Sequence, residues 1–344
     1  MRHAAPLAIV ENHSLKAYNT FGIDAKARYF VAVHDEAELR LALSAAETEN
    51  LPRLILGGGS NLLLTKDFPG VVIRMELIGR SIRRGDDDAT YVEAAAGENW
   101  HEFVLWTLSQ QLAGLENLSL IPGSVGATPI QNIGAYGVEM KEKFHALQAV
   151  DSLTGELRRF DQEACKFAYR DSVFKHELKD RAIITSVTFR LPYDAALHTD
   201  YGDVRQELAR MNVSSPTAKD ISDAICNIRR RKLPDPAQIG NAGSFFKNPV
   251  IDIGSFASLH EKHPRLPHYP SGNAQVKLPA AWLIEQAGWK GKTLGRAGVH
   301  EQHALVLVNR GEASGAEILA LANAIQNSVF DKFGVRLEPE PVIV

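Results

Sequence analysis

Residues 121–137 read IPGSVGATPIQNIGAYG, and this stretch constrains the fold strongly. It contains no charged residue, and its small and polar members are Gly123, Gly126, Gly134, Gly137, Ser124, Thr128, Gln131 and Asn132. A simple connector between two elements needs neither so many small residues nor so many hydrogen-bond donors. A segment that wraps closely around a large, flat, phosphate-bearing ligand needs both, because glycines admit the ligand and donors bind it. The stretch therefore predicts a ligand cradle.

A second glycine-rich segment, GGGSN at residues 57–61, follows the apolar run LPRLIL, which predicts a short buried strand. Consecutive glycines expose backbone N–H groups that suit a pyrophosphate. The spacing is not that of the Rossmann fingerprint, and no Gly-Lys-Ser/Thr follows as in a P-loop. A phosphate cradle and a tight turn between two strands both fit these residues, so this segment alone leaves the choice open.

Two helices are predicted in the first third of the chain. One runs from Asp35 to Ala46, with Glu38 spaced for a capping box. Its apolar face comprises Leu39, Ala42, Leu43 and Ala46. The other runs from about Asn99 to Gln111 and is expected to stop at Gly114.

A third helix is predicted near the C-terminus, from the capping box Ser314–Glu317 to Gly334. Its apolar face comprises Ile318, Leu319, Ile325, Val329 and Phe330. The following VRLEPEPVIV predicts an extended tail, because its two prolines exclude a helix and disfavour a central strand.

Strands are predicted between these helices. Residues 181–191 alternate, which places Ile183, Thr185, Val187, Phe189 and Leu191 on one face of a half-buried strand. SLTGELRRF, residues 152–160, predicts a hairpin with a Thr-Gly turn. The expected fold class is α+β with several sheets, and KLPDP, residues 232–236, marks the expected main boundary.

Composition limits the functional classes. A chain of 344 residues predicts about two domains. Its 45% hydrophobic and 23% charged residues exclude a disordered or collagen-like chain. A formal net charge of -3 supplies no field toward nucleic acid or anionic lipid. Two cysteines, no apolar signal core in the first 14 residues and no long apolar run predict a reducing, cytoplasmic protein without membrane insertion.

Four further segments are candidates for chemistry. YRDSVFK (169–175) offers an Arg-Asp cluster, which an exposed ion pair would also explain. GNAGSFFKNP (240–249) holds a serine between glycine and phenylalanine, but not as a hydrolase elbow. LEPEP (337–341) carries two carboxylates, and the basic run 229–232 fits either phosphate binding or a cationic helix end.

The histidines predict no metal centre. The pairs His260/His263 and His300/His303 are spaced i, i+3 but lack a partnering carboxylate motif. We therefore expect these rings to be satisfied or exposed and the protein to hold no metal.

Taken together, the chain resembles the UDP-N-acetylenolpyruvoylglucosamine reductase (UDP-N-acetylmuramate dehydrogenase) family. The resemblance is carried, in family order, by NTFGI (19–23), LILGGGSNLLL (54–64), AAGENWHEFV (95–104), GLENLSLIPGSVGATPIQNIGAYGVE (114–139), YRDSVFK, KLPDP, GNAGSFFKNP and LEPE (337–340). LHTDYGDVRQEL (197–208) resembles the extra loop of the family's type I form.

The resemblance implies an FAD-binding domain of the p-cresol methylhydroxylase (vanillyl-alcohol oxidase) type at residues 23–194. Its two α+β subdomains would span about 14–75 and 76–194. The C-terminal part, residues 195–344, would contain a smaller α+β substrate-binding domain at about 234–334.

The resemblance also implies the ligands and the residues that bind them. FAD would be bound non-covalently, and NADPH would be the hydride donor. The implied FAD-binding residues are Gly57, Gly58, Gly59, Ser60, Asn61, Ile121, Pro122, Gly123, Ser124, Gly126, Ala127, Asn132, Gly134, Tyr136, Gly137 and Arg229. The implied substrate-binding residues are Tyr169, Tyr201, Lys232 and Asn248.

The implied reaction converts UDP-N-acetylglucosamine enolpyruvate to UDP-N-acetylmuramate, a step of peptidoglycan precursor synthesis that serves cell-wall biogenesis, cell shape and cell division. Arg170 and Glu340 would stabilise the enolic carboxylate, and Ser244 would donate the proton. Lys247 is a candidate to activate Ser244. A monomer is expected, and the alternative is an FAD-dependent oxidase or dehydrogenase of the same fold that acts on another small molecule.

Overall fold

The structure is a computed structural model, and it describes residues 7–45, 50–83, 85–272 and 274–344. The described chain divides into two compact units. The first comprises residues up to 13, 26–59 and 68–231, and the second comprises 14–25, 60–67 and 232–344. One junction falls between Arg231 and Lys232, beside KLPDP. The second unit also takes two short segments from the N-terminal region, which the bounds implied by the resemblance did not include.

The helices and strands are numbered here in chain order. The strands are β1 (Val10–Ser14), β2 (Lys26–Val33), β3 (Arg53–Leu56), β4 (Leu62–Leu63), β5 (Phe68–Met75), β6 (Arg80–Arg83), β7 (Ala89–Ala95), β8 (Gly134–Ala135), β9 (Val138–Glu139), β10 (Phe144–Asp151), β11 (Leu157–Asp161), β12 (Ala182–Pro192), β13 (Asn241–Ser244), β14 (Val250–Asp252), β15 (Tyr269–Pro270), β16 (Gln275–Lys277), β17 (Thr293–Leu294), β18 (Ala297–Val299), β19 (Val306–Asn309) and β20 (Val342–Ile343). The helices are α1 (Glu36–Ser44), α2 (Trp100–Ser109), α3 (Gln162–Cys165), α4 (Gly202–Arg210), α5 (Ala218–Lys232), α6 (Ile253–Lys262), α7 (Ala280–Gln286) and α8 (Gly315–Phe333).

The first unit contains two main sheets. A four-stranded sheet has the order β1-β2-β5-β3, in which β2, β5 and β3 run parallel. A five-stranded antiparallel sheet has the order β11-β10-β12-β7-β6. The predicted hairpin is confirmed as β10–β11, whose turn places Gly155 at φ +71°. Mixed parallel and antiparallel sheets with separate helices match the expected α+β class.

Strand β12 departs from the predicted alternation at a β-bulge. Its register with β10 shifts where Ser186 pairs with Gln148 and Ile184 pairs with Ala149, which leaves an extra residue in β12. An extra residue reverses which side chains face each way. Ile184, with Val187 further along, packs into the core of the five-stranded sheet, whereas Ile183 joins the core of the four-stranded sheet. The prediction of one common face was therefore wrong for Ile183.

Both predicted N-terminal helices form, with different end contacts. Asp35 caps α1 by accepting the Glu38 N–H at 2.8 Å, but the Glu38 carboxylate accepts the His34 N–H instead of completing a capping box. The predicted last residue, Ala46, lies outside the described residues. Helix α2 ends at Ser109, and Gln111 takes the left-handed conformation (φ +61°) that Gly114 was expected to supply.

Helices α4 and α5 belong to the first unit rather than to the C-terminal part. Their apolar faces form one small core, which comprises Val204, Leu208, Ile221, Ala224, Ile225 and Ile228. Tyr136, from the glycine-rich stretch, packs against this core. Contact with that stretch therefore joins residues 202–231 to the first unit.

The second unit contains a four-stranded sheet, β13-β19-β18-β17, and a three-stranded sheet, β14-β16-β15. The predicted tail is extended, and its strand β20 pairs parallel with β4. Helix α8 has both halves of the predicted capping box and ends at Gly334 with φ +68°. Phe330 was wrongly placed on the apolar face: it is 40% exposed, and Phe333 occupies the buried position.

Glu317 in the α8 cap should make stability depend on pH. The Arg296 guanidinium and the Ser314 N–H lower its pKa from 4.5 to about 2, because both favour the carboxylate. This stabilisation is complete above pH 4.5 and is lost as the pH falls toward 2. We expect Glu317→Gln to lower the midpoint of urea unfolding at pH 7, with the difference from the wild type shrinking as the pH falls from 4.5 to 3.

The matched control is Glu261→Gln, which neutralises an exposed carboxylate on α6. Its midpoint should follow the wild type at every pH. If Glu317→Gln lowers the midpoint of urea unfolding by the same amount at pH 7 and pH 3, the lowered pKa of Glu317 does not contribute to stability as proposed.

Candidate active site

The two glycine-rich segments of the first unit lie against each other. Residues 57 and 58 follow β3 directly, and Gly58 is so close to Gly123 that an added Cβ would lie 2.7 Å from the Gly123 Cα. A Cβ on Gly57 would collide with the Ser124 hydroxyl. Segments 65 residues apart in sequence thus meet backbone to backbone, which explains why glycine is needed here.

The 121–137 stretch is held along residues 96–100. Gly126 N–H donates to the Ala96 carbonyl at 2.9 Å, and Val125 N–H donates to the Glu98 carbonyl at 2.8 Å. In return, Trp100 N–H donates to the Gly123 carbonyl at 3.0 Å. These bonds fix the backbone of the stretch before any ligand binds, as a preorganised cradle requires.

Asn132, expected to contact FAD, is used inside the protein. Its Nδ2 donates to Glu139 and to the Ala168 carbonyl, and its Oδ1 accepts the Lys141 N–H. The side chain is fully buried, and both of its donors are occupied. Asn132 therefore holds the loop in shape.

Arg229 approaches the stretch from α5. Its Nε donates to the Leu120 carbonyl at 3.1 Å, and its guanidinium also bonds the Tyr136 hydroxyl. Burial lowers the pKa of Arg229 and raises that of Tyr136. Among the described residues, no carboxylate forms an ion pair with this guanidinium. A partly buried cation whose partners are uncharged suits an anionic ligand.

Tyr201, at the N-cap of α4, packs edge-to-face on Tyr136, with ring centroids 5.5 Å apart. Asn117 connects the same regions, because its Nδ2 donates to the carbonyls of Tyr136 and His198. The segment that resembles the extra loop of the type I form, residues 197–208, is thereby held beside the glycine-rich stretch.

Arg170 also contacts that stretch near its C-terminal end, at Gly134. Its Nη2 donates to the Gly134 carbonyl at 2.5 Å, and Tyr169 lies beneath its guanidinium at 5.4 Å. The Arg170 backbone is left-handed (φ +54°), and Lys175 Nζ donates to its carbonyl at 2.8 Å. An exposed ion pair alone does not explain this arrangement, because the guanidinium bonds a backbone group of the cradle.

In the second unit, Ser244 and Glu340 lie on neighbouring hydrogen-bonded segments. Ser244 pairs with Val306 after an irregularity in β13, where Gly243 has φ +69°. The next residue, Phe245, accepts the Glu340 N–H at 2.8 Å. The structure therefore brings together two of the three expected catalytic residues. Bulges of this kind re-aim side chains next to active sites.

Lys247, the candidate activator of Ser244, pairs instead with Glu338: Nζ lies 3.3 Å from Oε2. Asn61 was expected to contact FAD, and its amide donates to the Glu340 carbonyl. Ser60, the preceding residue, also belongs to the second unit. Asn248 Oδ1 accepts the Ala280 N–H at the start of α7.

His303 does not fit the expectation of a satisfied or exposed ring. Its Nδ1 is buried without a hydrogen-bond partner, and burial together with the Lys232 charge lowers its pKa. His260 Nδ1 is likewise buried and unpartnered. Spacing alone could not reveal this, because the i, i+3 pattern does not determine whether a ring nitrogen finds a hydrogen-bond partner. Within the described residues, no group of three or more His, Cys, Asp or Glu side chains could hold a metal ion.

Comparison with known proteins identifies the family. Residues 235–344 match the C-terminal domain of UDP-N-acetylenolpyruvoylglucosamine reductase, and residues 27–161 match an FAD binding domain. A UDP-N-acetylenolpyruvoylglucosamine reductase of Paraburkholderia xenovorans is 55% identical over 99% of both chains. That of Pseudomonas aeruginosa is 55% identical over 97% of this chain and 98% of its own. The chain belongs to the UDP-N-acetylenolpyruvoylglucosamine reductase family.

A solved structure agrees on the fold. UDP-N-acetylenolpyruvylglucosamine reductase from Thermus caldophilus aligns over 98% of both chains with a TM-score of 0.65, at 24% identity. Membership of the reductase family and the FAD binding domain confirm the expected FAD cofactor, and the solved structure agrees with the expected α+β fold. The cradle at Gly58 and Gly123 and the Arg229 cation both fit FAD, which needs close backbone approach and positive charge at its diphosphate.

Gly58→Ala should impair FAD binding, because its Cβ would meet the Gly123 backbone and push the two segments apart. We expect at least a tenfold higher dissociation constant for FAD, measured by flavin fluorescence, and a lower flavin content after gel filtration. Gly202→Ala is the matched control, because a Cβ there meets nothing within 4 Å. Full flavin content in Gly58→Ala would argue against the cradle.

Proposed function

We propose that this chain reduces UDP-N-acetylglucosamine enolpyruvate to UDP-N-acetylmuramate, with NADPH as hydride donor and FAD held by the first unit. The proposal rests on the full-length similarity to reductases of this name and, for the chemistry, on the adjacency of Ser244 and Glu340. The domain assignment is part of it: residues 23–194 would bind FAD, and residues 234–334 would bind the nucleotide sugar.

The chemistry supplied by bound FAD is the relay of a hydride from NADPH to the methylene carbon of the enolpyruvyl group. Hydride addition places negative charge on the neighbouring carbon and on the carboxylate conjugated to it. The protein must therefore offer fixed positive charge or donors at that carboxylate and a proton at that carbon.

Arg170 is proposed to bind the carboxylate. Its planar guanidinium suits two oxygens, and the bond to the Gly134 carbonyl holds it at the cradle. Glu340, if protonated, would donate to the same carboxylate. Ser244 would deliver the proton to the carbon, and its position one residue from the Phe245–Glu340 bond favours this pairing of roles.

The remaining site residues are proposed to bind and orient. Arg229 and the N–H groups of the cradle would bind the FAD diphosphate. Lys232 and Tyr201 would bind the substrate diphosphate, with Tyr169 and Asn248 as further substrate contacts. Asn248 keeps its amide nitrogen for this, because its Oδ1 is committed to α7.

We further propose that the protein acts as a monomer in the cytoplasm. No helix among the described residues is long and apolar enough to cross a membrane. Both proposed substrates are charged nucleotides, which favours an aqueous compartment where NADPH is made.

Ser244→Ala should separate the two half-reactions. Removing a general acid costs about 10² to 10⁴ in rate. We expect NADPH to bleach the flavin as in the wild type, and the enolpyruvyl substrate to restore the colour that much more slowly, in anaerobic stopped-flow absorbance. Ser258→Ala, an exposed serine on α6, is the control. Equal slowing of both half-reactions would refute the assigned role.

Arg170→Lys tests recognition of the carboxylate by a planar fork. Lysine keeps the charge but loses the paired donors. We expect the second half-reaction to slow by about tenfold or more, since a charge-assisted hydrogen bond contributes roughly 1.5–3 kcal/mol. Turnover at the wild-type rate would contradict bidentate binding.

A further inference from the structure

A hydrogen-bonded chain in the first unit leads from His101 through Leu120 to Arg229. His101 lies in the first turn of α2, and its Nδ1 accepts the Leu120 N–H at 3.0 Å. The carbonyl of the same residue, Leu120, accepts the Arg229 Nε–H at 3.1 Å. A single residue therefore connects the imidazole to the guanidinium through its two backbone groups.

The partners of His101 determine its tautomer. A backbone N–H can only donate, so Nδ1 must be unprotonated and the neutral ring carries its proton on Nε2. That nitrogen faces the Cys226 thiol on α5, with Sγ 4.0 Å away. Burial raises the pKa of Cys226, which keeps the thiol neutral and able to accept this weak bond.

Leu120 needs such a partner, because its backbone is left-handed (φ +58°). This conformation is unfavourable for a residue with a side chain and persists only where the surroundings enforce it. Leu120 also immediately precedes the 121–137 stretch. Its peptide orientation therefore affects both the direction of the Arg229 guanidinium and the entry into the cradle.

We propose that His101 is a positioning residue for FAD binding: as a neutral acceptor it holds the left-handed Leu120 peptide, whose carbonyl orients Arg229 toward the cofactor's diphosphate. This inference rests on the proposed contact between Arg229 and FAD. It assigns to His101 a role in flavin affinity without any contact between His101 and the flavin.

The first test compares two substitutions of equal shape. His101→Asn keeps an oxygen acceptor near the position of Nδ1, whereas His101→Leu has nearly the same size without an acceptor. We expect the FAD dissociation constant, measured by back-titration of flavin released from the holoenzyme, to stay within about threefold of the wild type for Asn. It should rise about tenfold for Leu, as for one lost hydrogen bond. Equal values for the two variants would overturn the proposal, since a packing role would favour Leu.

The second test shows whether His101 acts through Arg229. If it does, His101→Leu should add less than a twofold loss of affinity in an Arg229→Met background. A full tenfold additional loss would mean that His101 acts independently, and the inference would fail. If Arg229→Met alone leaves FAD affinity unchanged, the proposed role of Arg229 fails instead, so the two failures are distinguishable.

The third test uses pH and remains informative if His101→Leu does not fold. The charged and titratable groups around the ring are Glu102 on its own helix and Cys226, Arg229 and Arg230 on α5. Burial, with the two arginines, lowers the pKa of His101, so Nδ1 accepts at neutral pH. Protonation of Nδ1 at acid pH would place its N–H directly against the N–H of Leu120, and the hydrogen bond between them would be lost.

Wild-type FAD affinity should therefore fall at a pH below the usual titration range of histidine, and the affinity of His101→Asn should not fall there. His145→Leu is the matched control: His145 is a half-buried histidine on β10 whose pKa is also lowered by burial. The His145→Leu variant should keep the wild-type affinity for FAD and the wild-type dependence of that affinity on pH. Parallel profiles for the wild type and His101→Asn would refute the proposal.

Discussion

The close approach of two backbones, at Gly58 and Gly123, is the constraint on which the first unit depends. Two chain segments can meet at this distance only where neither carries a side chain, and each must be held by its own scaffold. Parallel strand β3 delivers the first segment. The second is held by three backbone hydrogen bonds along residues 96–100. The contact between the two glycine segments therefore depends on scaffolds that are separate in sequence.

The charge of Arg229 in the first unit is placed to suit a ligand. Arg229 is partly buried against a carbonyl and a phenol, neither of which compensates its charge as a carboxylate would. Desolvating a cation without a counterion is unfavourable, so such an arrangement persists where a ligand supplies the missing charge. By contrast, Glu98 is buried and paired with Arg80 at 2.7 Å, which is a structural role. The difference between the two arginines is the identity of their partners.

Local features of this molecule were predictable from sequence. The α8 capping box, the β10–β11 hairpin and the extended tail all depend on residues close together in the chain, and each forms as expected. Contacts between distant segments were not predictable from composition or periodicity. The bulge that turns Ile183 to the other core, the Lys247–Glu338 pair and the bond from His101 to Leu120 all depend on which segments fold against each other. The resemblance to a family supplied the proposed roles of Arg170, Ser244 and Glu340, but not the contacts that hold them.

The parallel pairing of β20 with β4 has a consequence for folding during synthesis. Thr65 donates both its N–H and its hydroxyl to the Val344 carbonyl, across 279 positions of sequence. The first unit needs no residue beyond 231, so its chain is complete while the ribosome is still making the second. Residues 60–67 must then wait, with unpaired strand edges, until residues 342–344 emerge. Closure of so long a loop is slow, and Glu340, proposed to bind the substrate carboxylate, is made only just before the residues that close it.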